Sequence, residues 1–282
     1  MNTSNQVVNS LWIGDTLDNL GLLTLESFLY HGHTFQLWVY DTIKTPIPNG
    51  VVLKDANEII PKNEIFRYKN HSKYGHGKGS VAGFSDIFRC KLLYEKGGWW
   101  VDMDMTCLKA LDFDEPYVFR RDSARSIVNN MIKCPPKSPI MKWCYQQTKQ
   151  YVDENNKKWM LPSFILRKAI KQFKLKKYIN STIANPDRWE QIALYSNYDM
   201  VLPSSQFVIH WLNESWRVMK LNKEDVVEGS IYHQFSLKFD LEYNIKVGLE
   251  QKRHKYYWLF KLMLLKNTPH QIKEWYFDKK NR

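Results

Sequence analysis

Two aspartates one residue apart, Asp102 and Asp104, lie in the run GGWWVDMDM (residues 97–105) of a 282-residue chain. Read as a strand, the run puts both carboxylates on one face and Val101, Met103 and Met105 on the other. Carboxylates this close repel and lose hydration unless a counter-charge joins them. A divalent cation completed by waters and phosphates supplies one, and oxygen ligands suit Mg2+ or Mn2+. A solvent-facing edge strand would account for the same pair without a metal. The strand is expected to end just after Asp104, and open α/β sheets bind ligands beyond the carboxyl ends of their strands.

Other residues could join them. Asp86 and Arg89, in SVAGFSDIFRCKLL, are three apart and share a helix face. Their spacing alone favours a surface ion pair; aimed into a site, they would hold sugar hydroxyls and a phosphate. Trp12 precedes Ile13-Gly14 at a strand exit, where it either packs in the core or stacks on a nucleobase. His210, in VIHWLNESW, is by itself an ordinary core histidine, with Ser215 and Trp216 close behind.

The elements that must position these groups are legible. Residues 6–14 predict a strand, 18–31 a helix through Leu22, Leu25 and Leu29, and 34–41 a second strand, followed by the loop TPIPNG. Residues 80–96 predict a helix stopped by Gly97-Gly98, and 117–135 further strands. Residues 138–180 read as mostly helical, with PPKSP as the hinge before them. Strand–helix–strand alternation implies a mostly parallel sheet flanked by helices, an α/β fold.

Composition is that of a soluble globular protein, with 44% hydrophobic and 25% charged residues. Aromatics reach 15%, including 11 Trp. No apolar run approaches the roughly 20 residues that cross a bilayer, and no signal peptide is visible. Cys90, Cys107, Cys134 and Cys144 show no metal spacing, which fits a reduced, cytoplasmic setting. Net charge is +12, and residues 246–282 hold ten Lys/Arg against three Asp/Glu. This divides the chain into a main domain at 1–245 and a basic, aromatic appendage at 246–282. Within the appendage, QKRHKYYWLFKLMLLK (251–266) reads either as an interfacial membrane helix or as a helix packed on the domain.

Taken together, LWIG, FSDIFRCKLLYEKGGWWVDMDM and HWLNESW resemble the Asp-x-Asp glycosyltransferases of the sugar-binding-region family. That family includes capsular and lipopolysaccharide glycosyltransferases and yeast Golgi mannosyltransferases, with relatives in large glucosylating toxins. The resemblance covers residues 7–115 and 200–217. It implies a GT-A type fold and retaining hexosyl transfer from a nucleoside-diphosphate sugar, UDP-linked by expectation, to a glycan or lipid-linked acceptor. By position it implies Trp12 against the base, Asp86 and Arg89 on the donor sugar, and Asp102 on the ribose and metal. Asp104 would bind Mn2+ or Mg2+ directly, with His210 as a further metal ligand. Ser215 and Trp216 would close over the diphosphate, Trp216 donating its indole N–H to the leaving phosphate. An enzyme of capsule or lipopolysaccharide synthesis at the inner face of the membrane is the corresponding setting. Met160-Leu161-Pro162-Ser163 departs from the family's usual Gly-Pro, and the tail matches no family pattern. The rival readings are a basic nucleic-acid-binding protein and a metal-dependent phosphohydrolase. Neither a nucleic-acid module nor a second His/Asp cluster supports them, so no nucleic acid is expected as a partner.

Overall fold

The hydrophobic periodicity of the first hundred residues becomes an alternation of strands and helices. The computed structural model describes residues 3–73, 75–122 and 126–246. After a short helix α1 (Thr3–Gln6), strand β1 (Val7–Trp12) leads into helix α2 (Asn19–Tyr30), which the Asp18 side chain caps by accepting from Gly21 N–H. Strands β2 (Thr34–Val39) and β3 (Val52–Asp55) follow, then helix α3 (Ala82–Lys96) and strand β4 (Gly98–Val101). Helix α3 stops at Gly97, whose φ is +68°, and Gly98 continues at +83°. A side chain at Gly97 has no room, since a Cβ there would lie 2.4 Å from the Pro136 nitrogen.

Beyond β4 come β5 (Met105–Cys107), β6 (Val118–Arg121), β7 (Ile127–Cys134), α4 (Pro139–Tyr151), α5 (Leu161–Gln172) and β8 (Ile179–Asn180). The described chain ends with α6 (Trp189–Asn197), β9 (Val208–His210), α7 (Asn213–Val218), β10 (Asp225–Val227), α8 (Ile231–Lys238) and β11 (Asn244–Lys246). Seven strands form one sheet in the order β3-β2-β1-β4-β7-β6-β8. It is parallel except at β7, which runs antiparallel to both of its neighbours. The protein is therefore a mixed α/β fold with a mostly parallel central sheet.

Both sheet faces are covered. Trp99 and Trp100, adjacent on β4, point to opposite sides and are both buried. Trp100 packs with residues of α3, α4 and α5, and Trp99 with residues of α2. A third apolar cluster joins Leu20 and Leu23 of α2 to Trp211, Trp216 and Tyr232.

Two expectations change. The strand through the aspartates ends at Val101, not after Asp104: the chain leaves the main sheet, and β5 pairs antiparallel with β9, Met105 opposite His210. Asp102–Asp104 is thus a turn between two strands that have different partners. The predicted helical stretch 138–180 divides into α4 and α5, and Pro162 in the first turn of α5 sits where a missing N–H costs least. No helix among the described residues is long and apolar enough to cross a membrane. The 251–266 stretch, with all of the appendage except Lys246, lies outside the described residues.

Candidate active site

The parallel register sets the stage. Val8 pairs with Trp99 and Asn9 with Trp100, so the exits of β1 and β4 lie at the same sheet edge. Trp12 ends β1 there, half-buried, donating its indole N–H to the Thr16 carbonyl at 3.0 Å. Antiparallel pairing places Val101 opposite Met131, and Asp102 N–H donates to the Asn130 carbonyl. The dipeptide Asn129-Asn130 therefore flanks the acidic turn. Neighbouring residues of a strand face opposite ways, and the two asparagines accordingly serve two different polar clusters.

The first cluster gathers Asp86, Arg89 and Asp102. Arg89, 3% exposed, lies within 3.3 Å of Asp86 Oδ1 and 3.0 Å of Asp102 Oδ1 through the same nitrogen, Nη2. Trp100 donates its indole N–H to Asp102 Oδ1 at 2.8 Å and stacks beneath the Arg89 guanidinium. Asn129 Nδ2 donates to Asp86 Oδ1 at 2.7 Å. Burial pushes the Asp86 carboxyl up to about 6, with Arg89 pulling the other way. The spacing of Asp86 and Arg89 suggested a surface ion pair; both are buried.

The second cluster gathers Asp104, His210, Asp187 and Arg120. Asp104 Oδ2 accepts from Asn213 N–H at 2.7 Å and lies 3.3 Å from His210 Nε2. The other edge of the imidazole meets Asp187, with Nδ1 2.7 Å from Oδ1. Arg120, 1% exposed, grips Asp187 with both terminal nitrogens, at 2.9 and 2.6 Å. It also donates to Asn130 Oδ1 and to the Asn185 carbonyl. Asn185 fixes the backbone of His210 from both sides, accepting from its N–H and donating to its carbonyl. Burial would push His210 down, but Asp104 and Asp187 raise it to about 10. Burial likewise works against Asp187, yet Arg120 and His210 hold it below the usual carboxylate range.

The protein thus supplies two counter-charges of its own for the aspartate pair, Arg89 beside Asp102 and His210 beside Asp104. Among the described residues no group of three or more His, Cys, Asp or Glu is arranged to hold a metal. One observation nevertheless fits a cation: Asp104 Oδ1 is fully buried with no hydrogen-bond partner. Asp102 retains partial exposure nearby, so the pair suits an ion whose shell a ligand's phosphates and waters complete.

Ser215 lies half-buried on α7, the helix that starts where Asn213 meets Asp104. Trp216 is turned inward, 4% exposed, its indole N–H donated to the Trp211 carbonyl at 2.8 Å and its ring against Trp189 and Tyr232. In this conformation that N–H is not available to a phosphate. Asp86, Arg89, Asp102, Asp104 and His210, grouped in sequence only by the family resemblance, lie in these two clusters, together with Arg120, Asn129, Asn130, Asn185 and Asp187, which the sequence did not single out. Their only local signal was the polar pair Asn129-Asn130 inside a strand-like run, and the turn sequence Asn185-Pro186-Asp187.

Two clusters of buried charge at the carboxyl edge of the strands occupy the place where open α/β sheets bind ligands. Residues 66–205, just under half of the chain, match the family model of capsular polysaccharide synthesis proteins. The solved structure "PaToxG Glycosyltransferase" is 15% identical, covering 60% of this chain and 68% of that one with a TM-score of 0.42. A structure of a mutant transferase is 13% identical, covering 60% of this chain and 85% of that one with a TM-score of 0.40. None of the curated proteins matches the chain.

Proposed function

We propose that the protein is a glycosyltransferase that moves a hexose from a nucleoside-diphosphate sugar to a glycan or lipid-linked acceptor in capsular polysaccharide synthesis. The observation that carries this reading is the buried, unpartnered Asp104 Oδ1 beside Asp102 at the sheet edge. The capsular family match supports the reaction class.

In this reading Trp12 offers its ring to the donor's base, expected to be uracil. Asp86 accepts from hydroxyls of the donor sugar. Arg89, already committed to Asp86 and Asp102, holds both carboxylates in place and balances their charge. Asp102 and Asp104 would hold Mn2+ or Mg2+, which would neutralise charge on the leaving diphosphate, and His210, protonated beside Asp104, would have to lose that proton to join them as a ligand. Ser215, and Trp216 after release of its bond to Trp211, would close over that diphosphate from α7. Among the described residues no carboxylate stands out as a covalent nucleophile, so retention would follow from attack by the acceptor on the face the leaving group vacates.

Thermal shift with UDP in the presence and absence of Mn2+, followed by donor hydrolysis across UDP-glucose, UDP-galactose, UDP-GlcNAc, UDP-GalNAc and GDP-mannose, tests it. The expected result is stabilisation by UDP only with Mn2+, and loss of both stabilisation and hydrolysis in a folded Asp104→Ala variant. Full hydrolysis in EDTA, or in that variant, would refute the metal assignment.

A further inference from the structure

The stretch Met160–Ser163, where the chain departs from the resembled family, meets the candidate site. Ser163, in the first turn of α5 and 6% exposed, donates its hydroxyl to Asn129 Oδ1 at 3.1 Å. The Asp86 carboxylate, which only accepts, fixes which end of the Asn129 amide faces which way, and the serine hydroxyl donates to the oxygen left over. The amide nitrogen must point to Asp86, to which it donates at 2.7 Å. The backbone of the same residue is held as well, because its carbonyl accepts from Arg89 Nη1 at 2.5 Å. Asn129 is therefore locked at three points while remaining only half-buried.

The lock leaves two polar groups over. An amide nitrogen carries two protons, and Asp86 takes one. Among the described residues, the hydrogen bond and the ion pair to the Asp86 carboxylate both land on Oδ1. A second N–H on Asn129 and the Oδ2 of Asp86 thus remain without a protein partner among the described residues, on two side chains already joined to each other. Such a pair matches two neighbouring hydroxyls of a sugar, one accepting and one donating.

We infer that Asn129, locked by Ser163, is a specificity-determining residue that reads the donor hexose together with Asp86. This rests on the glycosyltransferase reading above. A site built to hydrogen-bond a substrate hydroxyl discriminates strongly, since an unsuitable sugar strands a polar group. Asp86 alone offers no donor.

Calorimetric binding of UDP, UDP-glucose, UDP-galactose and UDP-GlcNAc to the full chain with Mn2+ tests it. Asn129→Ala is expected to keep the wild-type affinity for UDP while weakening the preferred UDP-sugar by about tenfold or more, and to flatten the preference among sugars. Ser163→Ala should act in the same direction with a smaller effect, because it frees the amide without removing it. A wild-type sugar preference in Asn129→Ala overturns the inference, as does an equal loss of UDP and UDP-sugar. Failure of the wild-type protein to bind any of these nucleotides sinks the glycosyltransferase reading itself, before any variant is compared.

Discussion

Replacing Asp187 with alanine probes the buried charge chain that steadies His210. The carboxylate takes two charge-assisted bonds from Arg120 and sits 2.7 Å from His210 Nδ1. Arg120 is 1% exposed, so its guanidinium cannot turn to water once its partner is gone. Breaking a buried ion pair from one side costs about 3–5 kcal/mol. Two acceptors would remain to Arg120, Asn130 Oδ1 at 3.0 Å and the Asn185 carbonyl at 2.6 Å. They place the expected loss at the lower end, about 3 kcal/mol, or roughly 6–12 °C in Tm for a domain of this size. Urea denaturation of the wild type, Asp187→Ala, Arg120→Met and the double variant measures it. Because the double variant strands no charge, it should cost less than the two single changes added together. A loss under about 1 kcal/mol for Asp187→Ala, or strict additivity in the cycle, would refute the view that the pair is a coupled unit.

Two further outcomes follow from positions outside the site. His33 is buried, with Nδ1 donating to the Asn5 carbonyl and Nε2 accepting from Leu111 N–H, so only the neutral imidazole fits. Burial lowers its pKa; the unfolded chain therefore binds the proton more readily, and stability present above about pH 6.5 declines as the pH falls below it. NMR titration should show the His33 ring neutral below that pH, and a midpoint at or above it would contradict the burial argument. At Gly97, alanine must adopt φ +68° and meet backbone 2.4 Å away, so a loss of about 2–5 kcal/mol in urea denaturation is expected, and an unchanged midpoint would show that the turn relaxes at little cost.

The sequence revealed most where the signal is local. Leucine spacing marked α2, the Gly97-Gly98 pair marked the end of α3, and Asp86 and Arg89 shared a helix face as their spacing required. It misled at Asp102–Asp104, because alternation continues through the turn while the hydrogen-bonding partner changes from β7 to β9. The alternation anticipates the burial of Met103 and Met105 but not that of Asp104 between them; it carries no information about which strand lies alongside. Arg120 and Asp187 were out of reach for a different reason. They lie 67 positions apart, and nothing near either residue signals the other. The same holds for Ser163 and Asn129, which meet only because α5 packs against β7.

The clasp between β5 and β9 imposes a schedule on a chain emerging from the ribosome. Asp104 is synthesised 109 positions before Asn213, whose N–H it accepts, and His210 comes only slightly earlier. At roughly 5–20 residues per second the nascent acid pair waits about 5–20 s for those partners. A fragment truncated ahead of Val208 would contain both aspartates and Arg89, yet would lack the segment that seats Asp104. The seat of Asp104 is therefore completed late, when the segment carrying β9 and α7 docks.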